Sequence, residues 1–239
     1  MSAHYFVSDA HIGAGRADAE QRLGRFLENI KGRADSLYIL GDLFEFWFEY
    51  RRAVPKQGFG VLSRLAELNR SGTKITYLKG NHDFWFQDFL RRELHAETAD
   101  ELDVVIDGRR VFVAHGDRLD RSLVARFFRW LMRSRVNGAL YSMLHPDLGI
   151  GLARWVALAN RDEKTNLRLK DAMARFAEER LRAGYDIVVL GHSHAPERRE
   201  WDNGIYLNVG DWMTHFTYGV IRDGAASLHV FEGQLECPV

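Results

Sequence analysis

Short apolar segments alternate with helical segments through the first third of the chain. Three segments rich in aliphatic and aromatic residues are typical of buried strands: 4–8, 36–40 and 74–78. Two segments between them carry apolar residues at helical spacing: 18–31 and 58–69. This alternation of strand and helix predicts parallel strands joined by right-handed crossovers.

The second half of the chain has a different pattern. The apolar runs 104–106 and 111–114 flank Asp107-Gly108, which predicts a hairpin with a tight turn. A long stretch with helical character then precedes an apolar strand at 187–190, and we expect a helical insertion at about 120–182. Short strands are predicted to finish the chain: 205–208, 216–222 and 226–231. We expect an α/β fold with a single domain over residues 1–239.

Composition narrows the class of protein. The chain has 239 residues, of which 46% are hydrophobic, so it can form a large core. Its formal net charge is zero, which gives no overall attraction to nucleic acid. No apolar run approaches the ~20 residues that span a bilayer, and the first residues form a strand pattern rather than a signal peptide. The single cysteine, Cys237, excludes an intramolecular disulfide. We expect a cytoplasmic protein.

Five predicted strands each end in carboxylate, amide or imidazole side chains. These are Asp9 with His11, Asp42, Asn81, His115, and His192 with His194. In open α/β sheets, ligands bind in the crevice beyond the carboxyl ends of the strands. We therefore expect the seven side chains to form one site. His4, His95, His145, His215 and His229 fit no motif, and Asp211 is expected to end a strand behind the site without acting as a ligand.

The seven side chains have the chemistry of a site for two metal ions. Mixed nitrogen and oxygen donors suit manganese, iron, zinc or cobalt better than calcium. Seven ligands are too many for one ion that keeps positions open for substrate, so we expect two ions, about 3.5–4 Å apart, that share Asp42. Taken singly, each motif has a simpler interpretation: an isolated histidine is usually a polar residue with ordinary partners, and 80–83 could cap a helix that starts near Phe84.

Five motifs resemble those of the calcineurin-like metallophosphoesterases in order and spacing. They are Asp9-x-His11, Gly41-Asp42, Gly80-Asn81-His82-Asp83, His115-Gly116-Asp117 and Gly191-His192-x-His194. The resemblance implies a β-sandwich flanked by helices, in four αββα layers, with a helical cap inserted. It assigns Asp9, His11, Asp42 and His194 to one metal, and Asp42, Asn81, His115 and His192 to the other. His82, oriented by Asp83, would face the substrate as a proton donor or as a stabiliser of charge.

The segment 43–50, with Val54-Pro55-Lys56 and the position of the insertion, resembles the UDP-2,3-diacylglucosamine hydrolases of lipid A biosynthesis. This resemblance implies that hydroxide attacks the α-phosphorus and releases UMP and 2,3-diacylglucosamine 1-phosphate, with manganese as the expected metal. The enzyme would associate peripherally with the cytoplasmic face of the inner membrane, and neither nucleic acid nor an obligate protein partner is expected. The aromatic residues of 44–50 could instead simply fill the core.

The same resemblance suggests residues that contact the substrate. They are Asn81, His82, His192, Asp120, Asn160, Arg161, Lys164 and Arg168. The last five could equally be parts of solvated helix faces. One position departs from the hydrolase pattern, because the best-known members have arginine where this chain has His82. A soluble phosphodiesterase for a nucleotide or other diester therefore stays open, and a scaffold with a degenerate metal site would lack ligands that are all present here.

Overall fold

The first sheet of the protein has six strands. The computed structural model describes residues 2–15, 17–119, 123–151 and 167–235. The strands of this sheet are β1 (His4–Val7), β2 (Ser36–Ile39), β3 (Lys74–Leu78), β4 (Glu97–Ala99), β10 (Thr217–Arg222) and β11 (Ala225–Val230). Their order is β11-β10-β1-β2-β3-β4, and β1 to β4 are parallel. The predicted parallel arrangement of the first three strands is confirmed.

The second sheet has five strands in the order β5-β6-β7-β9-β8. They are β5 (Glu101–Ile106), β6 (Arg109–Ala114), β7 (Ile187–Leu190), β8 (Glu197–Trp201) and β9 (Gly204–Asn208). The predicted hairpin joins β5 to β6, and its two turn residues, Asp107 and Gly108, have φ values of 49° and 77°. Two positive φ values define the turn type that matches the twist of the flanking strands.

The described helices lie between these strands. They are α1 (Ala17–Ile30), α2 (Phe59–Arg70), α3 (Phe89–Glu93), α4 (Leu123–Met132), α5 (Arg135–Ser142) and α6 (Leu167–Arg182), and residues 146–151 are helical as well. The helix that could start near Phe84 begins instead at Phe89, so 80–83 do not cap it. None of the helices in the described ranges is long and apolar enough to cross a membrane.

Three apolar clusters arrange the chain in four layers. One lies between helices α1 and α2 and the first sheet, and includes Phe26, Leu65 and Ile39. The second lies between the two sheets, where Phe6 of β1 and Val189 of β7 are fully buried. The third joins α6 to the second sheet. Because successive residues of a strand face opposite sides, each central strand contributes to two clusters. The order of layers is therefore helix, sheet, sheet, helix, as expected.

The predicted insertion at 120–182 contains two different kinds of helix. Helix α6 packs Met173, Ala177 and Leu181 into the third cluster, so it is the outer layer of the sandwich. The described side chains of helices α4 and α5 and of residues 146–151 include no member of the three clusters, and several of the apolar ones are exposed. In the described part of the chain, these segments are the ones that match a cap, and the extent of the cap as a whole stays a prediction.

Candidate metal centre

The parallel strands bring the predicted ligands to one edge of the sandwich. Three groups of side chains have potential ligand atoms within 4.8 Å of one another: Asp9, His11 and His194; His11, Asp42 and His82; Asp42, His115 and His192. The groups interlock, because His11 and Asp42 each belong to two of them. Six of the seven predicted ligands therefore converge, and the seventh, Asn81, has its Oδ1 atom 3.0 Å from Nε2 of His115.

The backbone at this edge adopts a conformation that residues other than glycine rarely take. Nine described non-glycine residues have positive φ, and five of the nine are predicted ligands: Asp9, His11, Asp42, His192 and His194. Each such residue costs on the order of 1–3 kcal/mol, and conformations of this kind concentrate at functional sites. The strand ends thus turn sharply, which directs the side chains into the crevice instead of along the sheet.

Glycines allow the ligand loops to approach one another closely. A Cβ atom on Gly80 would lie 2.0 Å from Oδ1 of Asp42, and one on Gly191 would lie 2.2 Å from Oγ of Ser8. A Cβ atom on Gly41, which has a φ of 87°, would lie 2.6 Å from Cα of Gly80. The glycines that precede Asp42, Asn81 and His192 are therefore required by sterics.

Hydrogen bonds fix which nitrogen atom of two histidines faces the centre. Nδ1 of His11 lies 2.9 Å from the carboxylate of Glu45, and Nδ1 of His115 lies 2.6 Å from the carbonyl oxygen of Leu40. Both contacts place the proton on Nδ1 and leave Nε2 for a metal, an arrangement typical of metal-binding histidines. Nε2 of His11 and Oδ1 of Asp9 are buried without a hydrogen-bond partner in the described structure. Buried polar atoms are costly when unpaired, so these two atoms fit metal ligands.

Asp42 is held so that its second oxygen atom faces both halves of the centre. Its Oδ1 accepts a hydrogen bond of 2.9 Å from the backbone N–H of His82. Its Oδ2 lies 3.8 Å from Nε2 of His11 and 3.4 Å from Nε2 of His115. This central position between the two groups is the one that a shared carboxylate requires.

Asp83 has a different role from the one expected. Its carboxylate accepts hydrogen bonds from the backbone N–H groups of 42, 43, 44 and 80, and from the hydroxyl of Tyr77 at 2.5 Å. His82 is held instead by its Nδ1 atom, 3.0 Å from the carbonyl oxygen of Glu45. In the described contacts, Asp83 therefore fixes the loop that carries Asp42, and Glu45 orients His82.

Burial and neighbouring charges shift the pKa values of the side chains in the centre. Burial alone would lower the pKa of His11 and His115, but the nearby carboxylates raise both to about 10. Burial would raise the pKa of Asp42, yet the charges of His115 and His82 hold it well below its usual range. Burial and the charge of His115 lower the pKa of His192 to about 4. The carboxylate of Asp42 is thus ionised at neutral pH and available to cations.

The remaining predicted residues have mixed outcomes. Asp120, Asn160, Arg161 and Lys164 lie outside the described residues, and Arg168 is exposed at the start of α6. Asp211 accepts hydrogen bonds from three backbone N–H groups and lies 2.6 Å from Nδ1 of His215, so its carboxylate has partners outside the centre.

The aromatic segment 44–50 does more packing than the hydrolase resemblance suggested. Phe44 and Trp47 are fully buried in the first cluster. The rings of Phe46, Phe48 and Tyr50 contact Tyr141 of α5, with the closest centroids 4.7 Å apart. The segment is therefore partly core and partly a packing surface for α5.

Two residues that the sequence did not single out also contribute to the centre. Glu45 holds His11 and His82, and Arg133, directly after α4, donates to the carbonyl oxygen of Gly80. Glu45 lies in the aromatic run 44–50, and the signal in the sequence was an acidic residue between two aromatic ones. Arg133 gave no signal of its own among the basic residues of its segment.

Comparisons with known proteins agree with this geometry. Residues 3–222 match a family model described as "Calcineurin-like phosphoesterase superfamily domain". A protein of Porphyromonas gingivalis named UDP-2,3-diacylglucosamine hydrolase is 33% identical over 90% of this chain and 92% of its own length. A protein of the same name from Neisseria meningitidis is 29% identical over 96% of this chain and 98% of its own. The solved structure of an archaeal phosphodiesterase, 16% identical, covers 95% of this chain and 99% of its own with a TM-score of 0.53, and so shares the fold.

Proposed function

The chain belongs to the calcineurin-like phosphoesterase superfamily and is a metal-dependent phosphoesterase, and from that premise we propose that it hydrolyses UDP-2,3-diacylglucosamine. The reaction class is supported by the position of Asp42, whose carboxylate lies between two groups of potential ligand atoms. The relatives of that name, which align over nearly the whole chain, support the substrate.

The ligands divide into two sets around Asp42. Asp9, His11 and His194 would hold one ion with it, and Asn81, His115 and His192 would hold the other. Two divalent ions, which we expect to be manganese, would polarise the phosphoryl group and lower the pKa of the attacking water. His82 lies in the group between the two sets, where its Nε2 atom can contact a phosphoryl oxygen while Nδ1 remains bonded to Glu45.

The cap supports a lipid substrate. Its described residues expose a run of large apolar side chains: Trp130, Leu131, Val136, Leu140, Met143, Leu144 and Leu148. Met143 is 81% exposed and Leu148 is 70% exposed. Exposed apolar side chains among basic ones suit acyl chains and an anionic membrane surface. We therefore propose that the enzyme associates with a membrane surface, which the resemblance makes the cytoplasmic face of the inner membrane, where its substrate would be embedded.

An assay on the lipid substrate tests this proposal. The protein is loaded with manganese and given UDP-2,3-diacylglucosamine in detergent micelles, in water enriched in the heavy oxygen isotope. We expect UMP and the diacylglucosamine 1-phosphate, with the heavy oxygen in UMP because the attack is on the α-phosphorus. If no UMP forms at any manganese loading while bis(p-nitrophenyl) phosphate is hydrolysed, the lipid substrate is wrong and the phosphoesterase class stands.

A further inference from the structure

A cavity lined by arginines lies beside α4. Its volume is about 630 Å³, and its described lining consists of Arg118, Arg126, Arg129, Trp130, Arg133 and Ser134. A second cavity of about 100 Å³ shares Arg118 and Arg133 with the first and includes His115 in its lining. The two cavities therefore adjoin at Arg118 and Arg133, between His115 and α4.

Arg133 lies where the two cavities adjoin. Its Nη2 atom donates to the carbonyl oxygen of Gly80 at 3.0 Å and to Oδ2 of Asp117 at 3.2 Å. Gly80 directly precedes the ligand Asn81, and Asp117 follows His115 by two residues. The guanidinium is thus anchored to two of the loops that carry the ligand set Asn81, His115 and His192, and its side chain is still 23% exposed.

Charge around the two cavities favours an anion in the larger one. The carboxylates of Asp100, Glu101 and Asp117 line the smaller cavity, whereas no carboxylate is among the described residues that line the larger one. Arg133 contacts two of these acids, with Asp100 3.8 Å from its Nη1 atom and Asp117 3.2 Å from its Nη2 atom, and its centre lies 5.6 Å from the ring of Phe84. Glu101 pairs instead with Arg118, at 3.4 Å. The contacts of Arg133 hold its planar group in one orientation, which is the condition for recognising a phosphate through paired hydrogen bonds.

We propose that Arg133, with the arginine cavity behind it, binds the second phosphate of a pyrophosphate substrate and stabilises it as the leaving group. This inference rests on the proposed function. Attack by water forms a bond to the α-phosphorus and breaks its bond to the bridging oxygen. The electron pair of that bond goes to the departing phosphate monoester, and the proton of the water goes to solvent. A phosphate monoester is a stable anion, so a fixed cation facilitates its departure without protonating it.

The consequence is selectivity between two kinds of phosphoester. In a pyrophosphate the leaving group carries the charge that Arg133 is placed to bind. In bis(p-nitrophenyl) phosphate the leaving group is an aryl oxide without a second phosphate. A change at Arg133 should therefore alter the ratio of the two activities, whereas a change that merely disturbs the Gly80 loop should lower both.

The test compares the two substrates in variants of the manganese-loaded protein. Arg133→Gln is expected to lower kcat for UDP-2,3-diacylglucosamine by about 10²–10³-fold, because removal of one charge-stabilising donor has an effect of this size in other enzymes. Hydrolysis of bis(p-nitrophenyl) phosphate should fall far less. Arg133→Lys keeps the charge but loses the paired geometry, so its loss on the pyrophosphate should be intermediate. Arg110→Gln is a matched control. Arg110 lies near the start of β6, away from the ligand-bearing end of the strand, and pairs with Asp103 of β5.

Each outcome decides the inference. Selective loss on the pyrophosphate, with unchanged manganese content, supports it. Equal loss on both substrates, loss of manganese in both Arg133 variants, or full pyrophosphate activity in Arg133→Gln would overturn it while the proposed function stands. If the unaltered protein hydrolyses the diester but no pyrophosphate, the proposed function fails and this inference fails with it.

Discussion

The Nδ1 atom of His11 lies 2.9 Å from the carboxylate of Glu45, and Nε2 of the same ring lies 3.8 Å from a carboxylate oxygen of both Asp9 and Asp42. Glu45 thus fixes the orientation of the imidazole ring, so that its Nε2 atom faces the metal centre. Partners of this kind raise the basicity of a ligand and fix its orientation.

Glu45→Gln should therefore weaken metal binding without removing a ligand. We expect manganese affinity to fall by about 10–100-fold, the range typical for the loss of a partner to a metal-binding histidine. Titration calorimetry with manganese measures this directly.

Glu49→Gln provides a matched control in the same segment. Glu49 is also buried, but it accepts hydrogen bonds from the backbone N–H groups of Gln87 and Phe89. Its substitution should lower thermal stability and leave manganese affinity unchanged. Equal affinity of the Glu45 and Glu49 variants would contradict the role assigned to Glu45.

Asp83→Asn should destabilise the loop that carries Asp42. Five donors converge on the carboxylate of Asp83, and an amide presents only one oxygen atom to them. We expect the free energy of unfolding to fall by about 2–3 kcal/mol. Tyr77→Phe removes one of the donors and should cost less, about 1 kcal/mol. Urea denaturation measures both, and a neutral Asp83→Asn substitution would show that this hydrogen-bond network is dispensable.

Gly80→Ala should displace the shared carboxylate. The added Cβ atom would lie 2.0 Å from Oδ1 of Asp42, a distance that cannot be accommodated without movement of the side chain or the loop. We expect loss of bound manganese, measured by elemental analysis of the purified protein, and loss of hydrolysis. Gly151→Ala is the control, since among the described residues no heavy atom beyond its chain neighbours lies within 4 Å of the added carbon. Retention of two ions by Gly80→Ala would refute the placement of Asp42.

Metal binding should release protons. Nearby carboxylates raise the pKa of His11 and of His115 to about 10, so both imidazoles are protonated at neutral pH before an ion binds. An ion must displace these protons from the ligand atoms, so its apparent affinity should rise with pH and fall as pH decreases. Calorimetry in buffers of different ionisation enthalpy measures the release. An affinity that stays constant between about pH 6 and pH 8 would disprove the coupling.

The sequence predicted the positions of the ligands because parallel strands bring their carboxyl ends to one edge. It did not predict the contacts that orient those ligands. Glu45 lies 34 residues from His11 in the chain, and Asp83 acts on backbone N–H groups, which carry no residue identity. Strands β4 and β8 were also missed. Both lie at sheet edges and consist largely of polar residues, so they lack the apolar pattern of the central strands.

The central claim is that Asp42 joins two ions into one hydrolytic centre. The most direct measurement follows UMP release from UDP-2,3-diacylglucosamine while the manganese content of the protein is increased stepwise and determined in each sample. We predict that activity appears with loading of the second ion and saturates at two ions per chain. Full activity at one ion per chain, or no UMP at two, would contradict the account.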